Sequence, residues 1–394
     1  MMNSVIGVDI GKNKLNYCVL DDFGEIFDEA ILANNQTGYE TILRLVHRYH
    51  GIVVFEATGV YSARLQYFLE LNDLDYVRLN PLRAKRETST LRNTKNDKVD
   101  AKKLALLQLT KQYPKSHIEA RVYKELRRQH RFYQSIAQER VNAKNRVHRL
   151  LQETFPSLTE IVGTASDTLY KIAMTIPHVN LINNATPHEI SELLSKVMKY
   201  DSVYQKLAQK LKAIALTTTV SVDVDSYALT ELRYWAQKVL ELGQVKERIL
   251  QEMVTASSEM NEVKILRSIP GLGDLAAVGL VAELGDIRRF TTPQKMNAFV
   301  GIDLIFNDSG QLKTSGFISK KGNSVARKLL YTSFLHVIMA DREQRLRVTQ
   351  WYRKRSANVK RGKKKLIIGG MDRLLRLVHH LVINNEEFQF DKSG

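Results

Sequence analysis

Two stretches of this 394-residue chain, far apart in sequence, carry the same seven-residue apolar rhythm. Over residues 118 to 152, Leu126, Tyr133, Ile136, Ala143, Val147 and Leu150 fall on heptad spacing, with Gln129 and Arg140 as polar breaks. The second stretch reads Leu229, Leu232, Trp235 or Ala236, Val239, Leu242, Ile249, Met253, Ala256 and Met260. A helix with one such seam must bury it, so each stretch predicts a long helix that needs a partner. Either the two pair antiparallel as a coiled-coil arm, or each pairs across an oligomer interface. Residues 155 to 218, with Pro156, Pro177, Pro187 and two amphipathic segments, predict a small helical insertion at the tip of the arm. No chemistry is legible in that insertion. The expected organisation is a first domain over 1–115, the arm over 116–263 and a C-terminal domain over 264–394.

Before the arm the pattern is that of strands. Val5-Ile6-Gly7-Val8-Asp9 is a short apolar run ending in a carboxylate, and Lys14 to Leu20 alternates after Gly11-Lys12. A turn at Asp21-Asp22-Phe23-Gly24 precedes a third strand, and Asn34 to Thr37 can cap a helix running to about His50. Ile52 to Phe55 is β-branched and apolar, Tyr61 to Leu71 is helical, and Tyr76 to Leu79 is a short strand ended by Pro81. Strands in a meander, then alternating with helices, predict an α/β domain with a mixed sheet covered by helices. From residue 264 the chain reads as mostly helical, with a tight Pro270-Gly271-Leu272-Gly273 turn and helices to about 385. Residues 386 to 394 read as a frayed tail.

Four acids of the first domain stand where chemistry is done. Asp9 ends the first strand and Glu56 ends the strand Ile52 to Phe55. Asp97 and Asp100 lie three apart at the start of a helix, a spacing that turns both toward one point. Four converging carboxylates repel one another unless a hard cation neutralises them, and Mg2+ suits them because it takes oxygen ligands and leaves room for phosphate. Two such ions about 4 Å apart can clamp the attacking and leaving oxygens of a phosphodiester. Taken singly, each acid is more simply a strand end or a helix cap; the four in this context favour metal.

The C-terminal domain adds a hydroxyl in a basic setting. Asn307-Asp308-Ser309-Gly310 is followed by Lys313, then by Ile318-Ser319-Lys320-Lys321-Gly322-Asn323 and Arg327. Residues 311 to 365 hold sixteen Lys or Arg, with Asp341 and Glu343 as their acids, and fixed cations can activate a hydroxyl as a nucleophile. Ser315-Gly316 is a second serine–glycine step close by.

The charge balance names the partner class. Lys and Arg number 59 against 42 Asp and Glu, a net +17 that points to a polyanion, most simply nucleic acid. The excess is clustered at residues 83–115, 121–149 and 351–365. Such clusters make binding steeply salt-dependent. Tyr61, Tyr123, Tyr133, Trp351 and Tyr352 lie within or near them. Cys18, the one cysteine, excludes an internal disulfide. No segment approaches the roughly eighteen apolar residues of a membrane span, and no secretory signal is legible. A cytoplasmic, nucleoid-associated protein with no membrane partner is expected.

Phe55-Glu56-Ala57-Thr58-Gly59-Val60-Tyr61 and Lys95-Asn96-Asp97-Lys98-Val99-Asp100-Ala101, with Asp9 in an opening strand, closely resemble the DEDD transposases. These are insertion-sequence recombinases with a RuvC-like, RNase H-type N-terminal domain, and the pilin-gene invertases are similar. Phe299-Val300-Gly301, Asp308-Ser309-Gly310 and Ile318-Ser319-Lys320-Lys321-Gly322 resemble the C-terminal domain of the same family in order and spacing. Asp303-Leu304-Ile305 departs from it, since family members commonly carry a proline-containing turn there. The resemblance implies that Asp9, Glu56, Asp97 and Asp100 are a metal-binding tetrad and that Ser309 attacks DNA. The step Ser315-Gly316 leaves a second position open for the nucleophile, although the distance from Ser309 to Ile318-Ser319-Lys320 matches the family better. It further implies a structured bridge RNA as guide, donor and target DNA as substrates, and a dimer or tetramer in which one subunit's acids complete another's serine. The expected function is site-specific recombination through a phosphoserine intermediate. The alternatives are a RuvC-like nuclease that uses water, and an inactive nucleic-acid-binding protein of the same fold.

Overall fold

The computed structural model describes residues 4–81, 84, 87, 97–197, 201–305, 308–309, 312–313, 317–343, 345–359 and 362–390. The chain divides into two compact units, Met1–Ile118 and Glu119–Gly394.

The first unit is built on a five-stranded sheet in the order β3-β2-β1-β4-β5. The strands are β1 (Val5–Ile10), β2 (Lys14–Leu20), β3 (Ile26–Ala33), β4 (Ile52–Glu56) and β5 (Tyr76–Leu79). β1 runs antiparallel to β2, and β2 to β3, because short turns join them; Gly11 N donates to Lys14 O at 2.9 Å to close the first. β4 and β5 run parallel to β1 and need helical crossovers, supplied by α1 (Gln36–Tyr49) and α2 (Val60–Leu71). Asn35 starts α1 by accepting from Gly38 N, and His50 ends it in the left-handed region, within the bounds that the sequence predicts.

Both faces of the sheet are covered, which is why β1, β2 and β4 are apolar almost throughout. On one face Ile6, Val8, Val53 and Phe55 pack against Ile42 of α1 and Leu65 and Leu69 of α2. On the other, Val5, Cys18, Leu20, Val54 and Val77 pack against Ala101, Leu104 and Ala105 of α3 (Asp97–Lys111). Gly7 allows that second contact. A Cβ there would lie 2.1 Å from Ala101 O and 2.8 Å from Ala105 N, so only glycine lets the backbone of α3 settle on β1.

The second unit opens with α4 (Arg121–Thr154), which packs along α8 (Ala228–Ala256). Arg149 meets Glu231, Arg146 stacks on Trp235, Arg140 reaches Val239 O and Lys246 sits over Tyr133, so the two helices run antiparallel. Leu126, Tyr133, Ile136, Ala143, Val147 and Leu150 are buried, as are Leu229, Leu232, Ala236, Val239, Leu242, Ile249 and Met253. Each fully buried leucine, isoleucine, valine or methionine of the seam contributes about 1.5–3 kcal/mol. The seam stops earlier than the spacing predicts: Ala256 is exposed, because α8 ends there in a turn that buries Ser257 instead. Arg140, the polar break, donates to Val239 O at 3.1 Å and pairs with Asp167 at 2.5 Å. Residues 155–218 carry α5 (Asp167–Thr175), α6 (Pro187–Ser195, opened by a Thr186–Glu189 capping box) and α7 (Asp201–Ala215), with shorter turns between.

The remainder is helical: α9 (Asn261–Ser268), α10 (Asp274–Leu284), α11 (Pro293–Val300), α12 (Ser324–Ala340), α13 (Arg347–Ser356) and α14 (Lys363–Asn384). It shares one core with the α4–α8 pair. The frayed-tail expectation is corrected over 386–390. Phe388 is buried, its N donates to Ser268 Oγ at 2.7 Å, and Arg345 stacks on Phe390 at 3.9 Å. Two apolar rings outweigh the disordering of a chain end. Residues 391–394 lie outside the described residues. Among the described residues no helix is long and apolar enough to cross a membrane.

Candidate active site

Strand alternation decides where the acids of the first unit point. Val5 and Val54 face α3, so by the period of two Asp9 on β1 and Glu56 on β4 face it as well. Thr58 Oγ1 lies 3.5 Å from Ile10 O and ties the ends of those two strands together. Asp100 descends from α3 one residue before Ala101, the residue whose carbonyl rests on Gly7. The three acids feel one another. Burial pushes the Glu56 carboxyl above the ordinary carboxylate range, and the negative charges of Asp9 and Asp100 push it further. Lys103 approaches Asp100 at 3.4 Å, but Asp100 is 43% exposed there, so this pair is screened.

Asp97 is the first residue of α3, and its side chain lies outside the described residues. Among the described residues no group of three or more His, Cys, Asp or Glu is drawn close enough to hold one ion. Mutual repulsion opposes a tighter cluster without a compensating charge, which is the electrostatic demand that a divalent cation meets.

A residue missed by sequence reasoning stands beside this group. Asn16 on β2 pairs directly with Asp9 on β1. It is 2% exposed, and its Oδ1 has no hydrogen-bond partner among the described residues. Leaving a buried amide oxygen unmatched costs on the order of 1–3 kcal/mol. Its sequence signal is a lone amide within the buried run Leu15-Asn16-Tyr17-Cys18.

Ser309 belongs to the second unit. It lies on β7 (Asp308–Ser309) and pairs with Leu312 of β8 (Leu312–Lys313). The side chain of Ser309, and all of Ser315 and Gly316, lie outside the described residues. The frame around this hairpin is held by backbone hydrogen bonds. β6 (Leu304–Ile305) pairs antiparallel with β9 (Phe317–Ile318). Ser319 N donates to Asp303 O at 2.9 Å, Lys320 N to Gly301 O at 3.1 Å and Asn323 N to Phe299 O at 2.7 Å. The Ser319 hydroxyl also donates to the Asp303 carboxylate. Arg327, one of the expected cations, donates to Val300 O at 2.8 Å and so braces the frame, while Lys320 and Lys321 are exposed.

That frame is anchored from below by Glu283 of α10, which is fully buried. His130 Nδ1 lies 3.0 Å from its Oε1, Arg131 Nη2 donates to Oε2 at 3.1 Å, and Asn323 Nδ2 donates to Oε2 at 2.8 Å. Burial raises the Glu283 pKa, but these hydrogen bonds and the Arg131 charge outweigh it and hold the carboxyl at about 2. Asn323 Oδ1 in turn accepts from Val325 N and Ala326 N and starts α12. Of the aromatics near the basic clusters, Tyr123 and Tyr133 are buried and Tyr352 packs edge-on against Phe334, whereas Tyr61 is exposed.

The family resemblance is borne out by comparison with known proteins. Residues 6–156 match a DEDD transposase family, and residues 263–349 match the transposase IS116/IS110/IS902 family. The transposase for insertion sequence element IS1111A of Coxiella burnetii is 36% identical over 81 residues, 20% of this chain and 22% of that protein. The pilin gene-inverting proteins of Moraxella bovis and Moraxella lacunata are 22% identical over 182 residues, 46% of this chain and 54% of theirs. The chain thus spans about half the length of the inverting proteins it matches and about a fifth of the IS1111A transposase. With one match over the carboxylate-bearing strands and the other over the serine hairpin, the chain belongs to the IS110-type family of DEDD transposases.

Proposed function

We propose that this protein is a DNA recombinase that moves an insertion sequence by cutting and exchanging strands through a phosphoserine link. The observation that carries the reading is the placement of Asp9, Glu56 and Asp100 on one face of the sheet, with Glu56 raised first by burial and then by its neighbours' charge. Acids kept in mutual repulsion serve a ligand that removes it. Asp9, Glu56, Asp97 and Asp100 would hold Mg2+, which when bound supplies positive charge against the scissile phosphate.

The chain's own residues then do the following. Ser309 Oγ forms a bond to phosphorus as the bond from phosphorus to the 3′ oxygen breaks, leaving a 5′ phosphoserine and a free 3′-hydroxyl. A 3′-hydroxyl of the exchanged strand attacks that phosphoserine and returns the serine. One phosphoester replaces another at each step, so no nucleotide hydrolysis is needed. Lys320 and Lys321, exposed beside the hairpin, draw the phosphate in.

Sequence choice rests with a structured bridge RNA whose loops pair with donor and target DNA, the protein gripping backbone through its basic clusters. The α4–α8 pair serves as a coiled-coil arm that assembles a dimer or tetramer, in which the acids of one subunit meet the serine of another. Such a protein works on DNA in the cytoplasm, at the nucleoid.

Trapping of a covalent protein–DNA adduct tests this. The adduct is expected with the unaltered chain and Mg2+, and is expected to vanish in Ser309→Ala while Ser315→Ala retains it. Cleavage that survives Ser309→Ala without an adduct would assign the chain to the water-using nucleases. No metal-dependent cleavage at all would make it a binding protein.

A further inference from the structure

We infer that Asn16 is a fifth member of the carboxylate site, a neutral hydrogen-bond acceptor for the waters of the divalent cation held there. The inference rests on the reading that these acids take such a cation. Three observations about Asn16 carry it.

The first is register. Asp9 and Asn16 are direct cross-strand partners, and such pairs place their Cβ atoms about 4.5–5.5 Å apart. The second is facing. Cys18 and Leu20, two and four residues along β2, lie in the core on the α3 side, so Asn16 faces the same side as Asp9 and Glu56. The third is its unmet valence. Asn16 is 2% exposed, yet its Oδ1 accepts no hydrogen bond from the described residues. Packing alone does not account for an amide there, since a leucine or valine would fill an apolar strand position without a polar group to satisfy.

A cation explains both the residue type and its neutrality. Mg2+ keeps several of its waters when bound by carboxylates, and those waters need acceptors. A carboxylate at position 16 would accept equally well but would place a second negative charge directly across from Asp9. An amide accepts without that cost. Asn16 is therefore a positioning residue, acting on the cation's water shell and through it on Asp9.

The test is Mn2+ binding to the purified full-length chain, followed by the electron paramagnetic resonance of free Mn2+, with thermal melting in chelator as a second readout. Asn16→Leu is expected to weaken Mn2+ affinity about ten- to a hundredfold, the usual effect of removing an outer-shell partner. Its melting in chelator is expected to stay level or rise. Asn16→Asp, which keeps shape and an oxygen acceptor, is expected to retain or tighten Mn2+ binding and covers the case in which the leucine variant fails to fold. Asp9→Asn serves as the comparator and should bind far more weakly than either. Unchanged affinity in folded Asn16→Leu, or lost affinity in folded Asn16→Asp, with Asp9→Asn still impaired, overturns the role of Asn16 alone. An unaltered chain that binds no Mn2+, or an Asp9→Asn variant that binds normally, overturns the cation reading and this inference with it.

Discussion

Glu283 and Glu56 are both withdrawn from water, and their surroundings treat them in opposite ways. Around Glu283 the chain gathers His130, Arg131 and Asn323, and the carboxyl is held at about 2 against a full burial penalty. Around Glu56 it gathers Asp9 and Asp100, which add to the burial penalty and push the carboxyl up. The first arrangement is complete in the folded chain and locks α4, α10 and the start of α12 together. The second sets acid against acid. A structural charge is satisfied by its own protein, whereas a charge kept for a ligand is satisfied from outside.

The sharpest way to break this contrast is to remove Glu283. Glu283→Ala leaves Arg131 and a buried His130 without their acceptor and should cost roughly 3–5 kcal/mol, read as a large fall in melting temperature. Hydrogen exchange should rise over residues 299–323, since Asn323 loses the oxygen that fixes it. Glu283→Gln should also flatten the acid limb of the stability curve. The folded pKa of Glu283 is depressed from 4.5 to about 2, so its contribution is present above 4.5 and fades as pH falls through that window.

Asp9→Asn should behave in the opposite sense. Removing one charge from a repelling group should leave melting unchanged or slightly raised, while DNA cleavage falls by about two orders of magnitude or more, the scale of losing one electrostatic stabiliser. A fall in stability like that of Glu283→Ala would place Asp9 among the structural charges. The smallest effect belongs to Lys103→Ala. Its partner Asp100 is 43% exposed, so the loss should be under about 1 kcal/mol by denaturant titration. A larger loss would mean that the acidic group has a cationic anchor of its own.

Periodicity explains how much of this was legible beforehand. The seams of α4 and α8 follow from spacing because a helical face repeats whatever its tertiary setting, and they fail at Ala256, where the helix itself stops. Asp9 and Glu56 were legible as strand residues because a carboxylate at the end of an apolar run stands out locally, although β1 runs one residue past Asp9, to Ile10. Asn16 was not, because its meaning lies in its register with Asp9, which must be counted back through the turn closed by Gly11 and Lys14. Glu283 and His130 lie 153 positions apart, and no local pattern in either helix announces their pairing. The docked tail escaped for a similar reason, since Phe388 finds its partner at Ser268.

Gly7 shows how narrow the tolerances are around the acids. With Ala101 O 2.1 Å from where a methyl group would sit, even the smallest side chain would act as a shim, lifting α3 off the sheet and Asp100 with it. Both hydrophobic faces would remain covered, so the damage would fall on alignment before it fell on folding. A single hydrogen replaced by carbon, on a residue that bears no charge, would thus shift an acid out of line while leaving the fold intact.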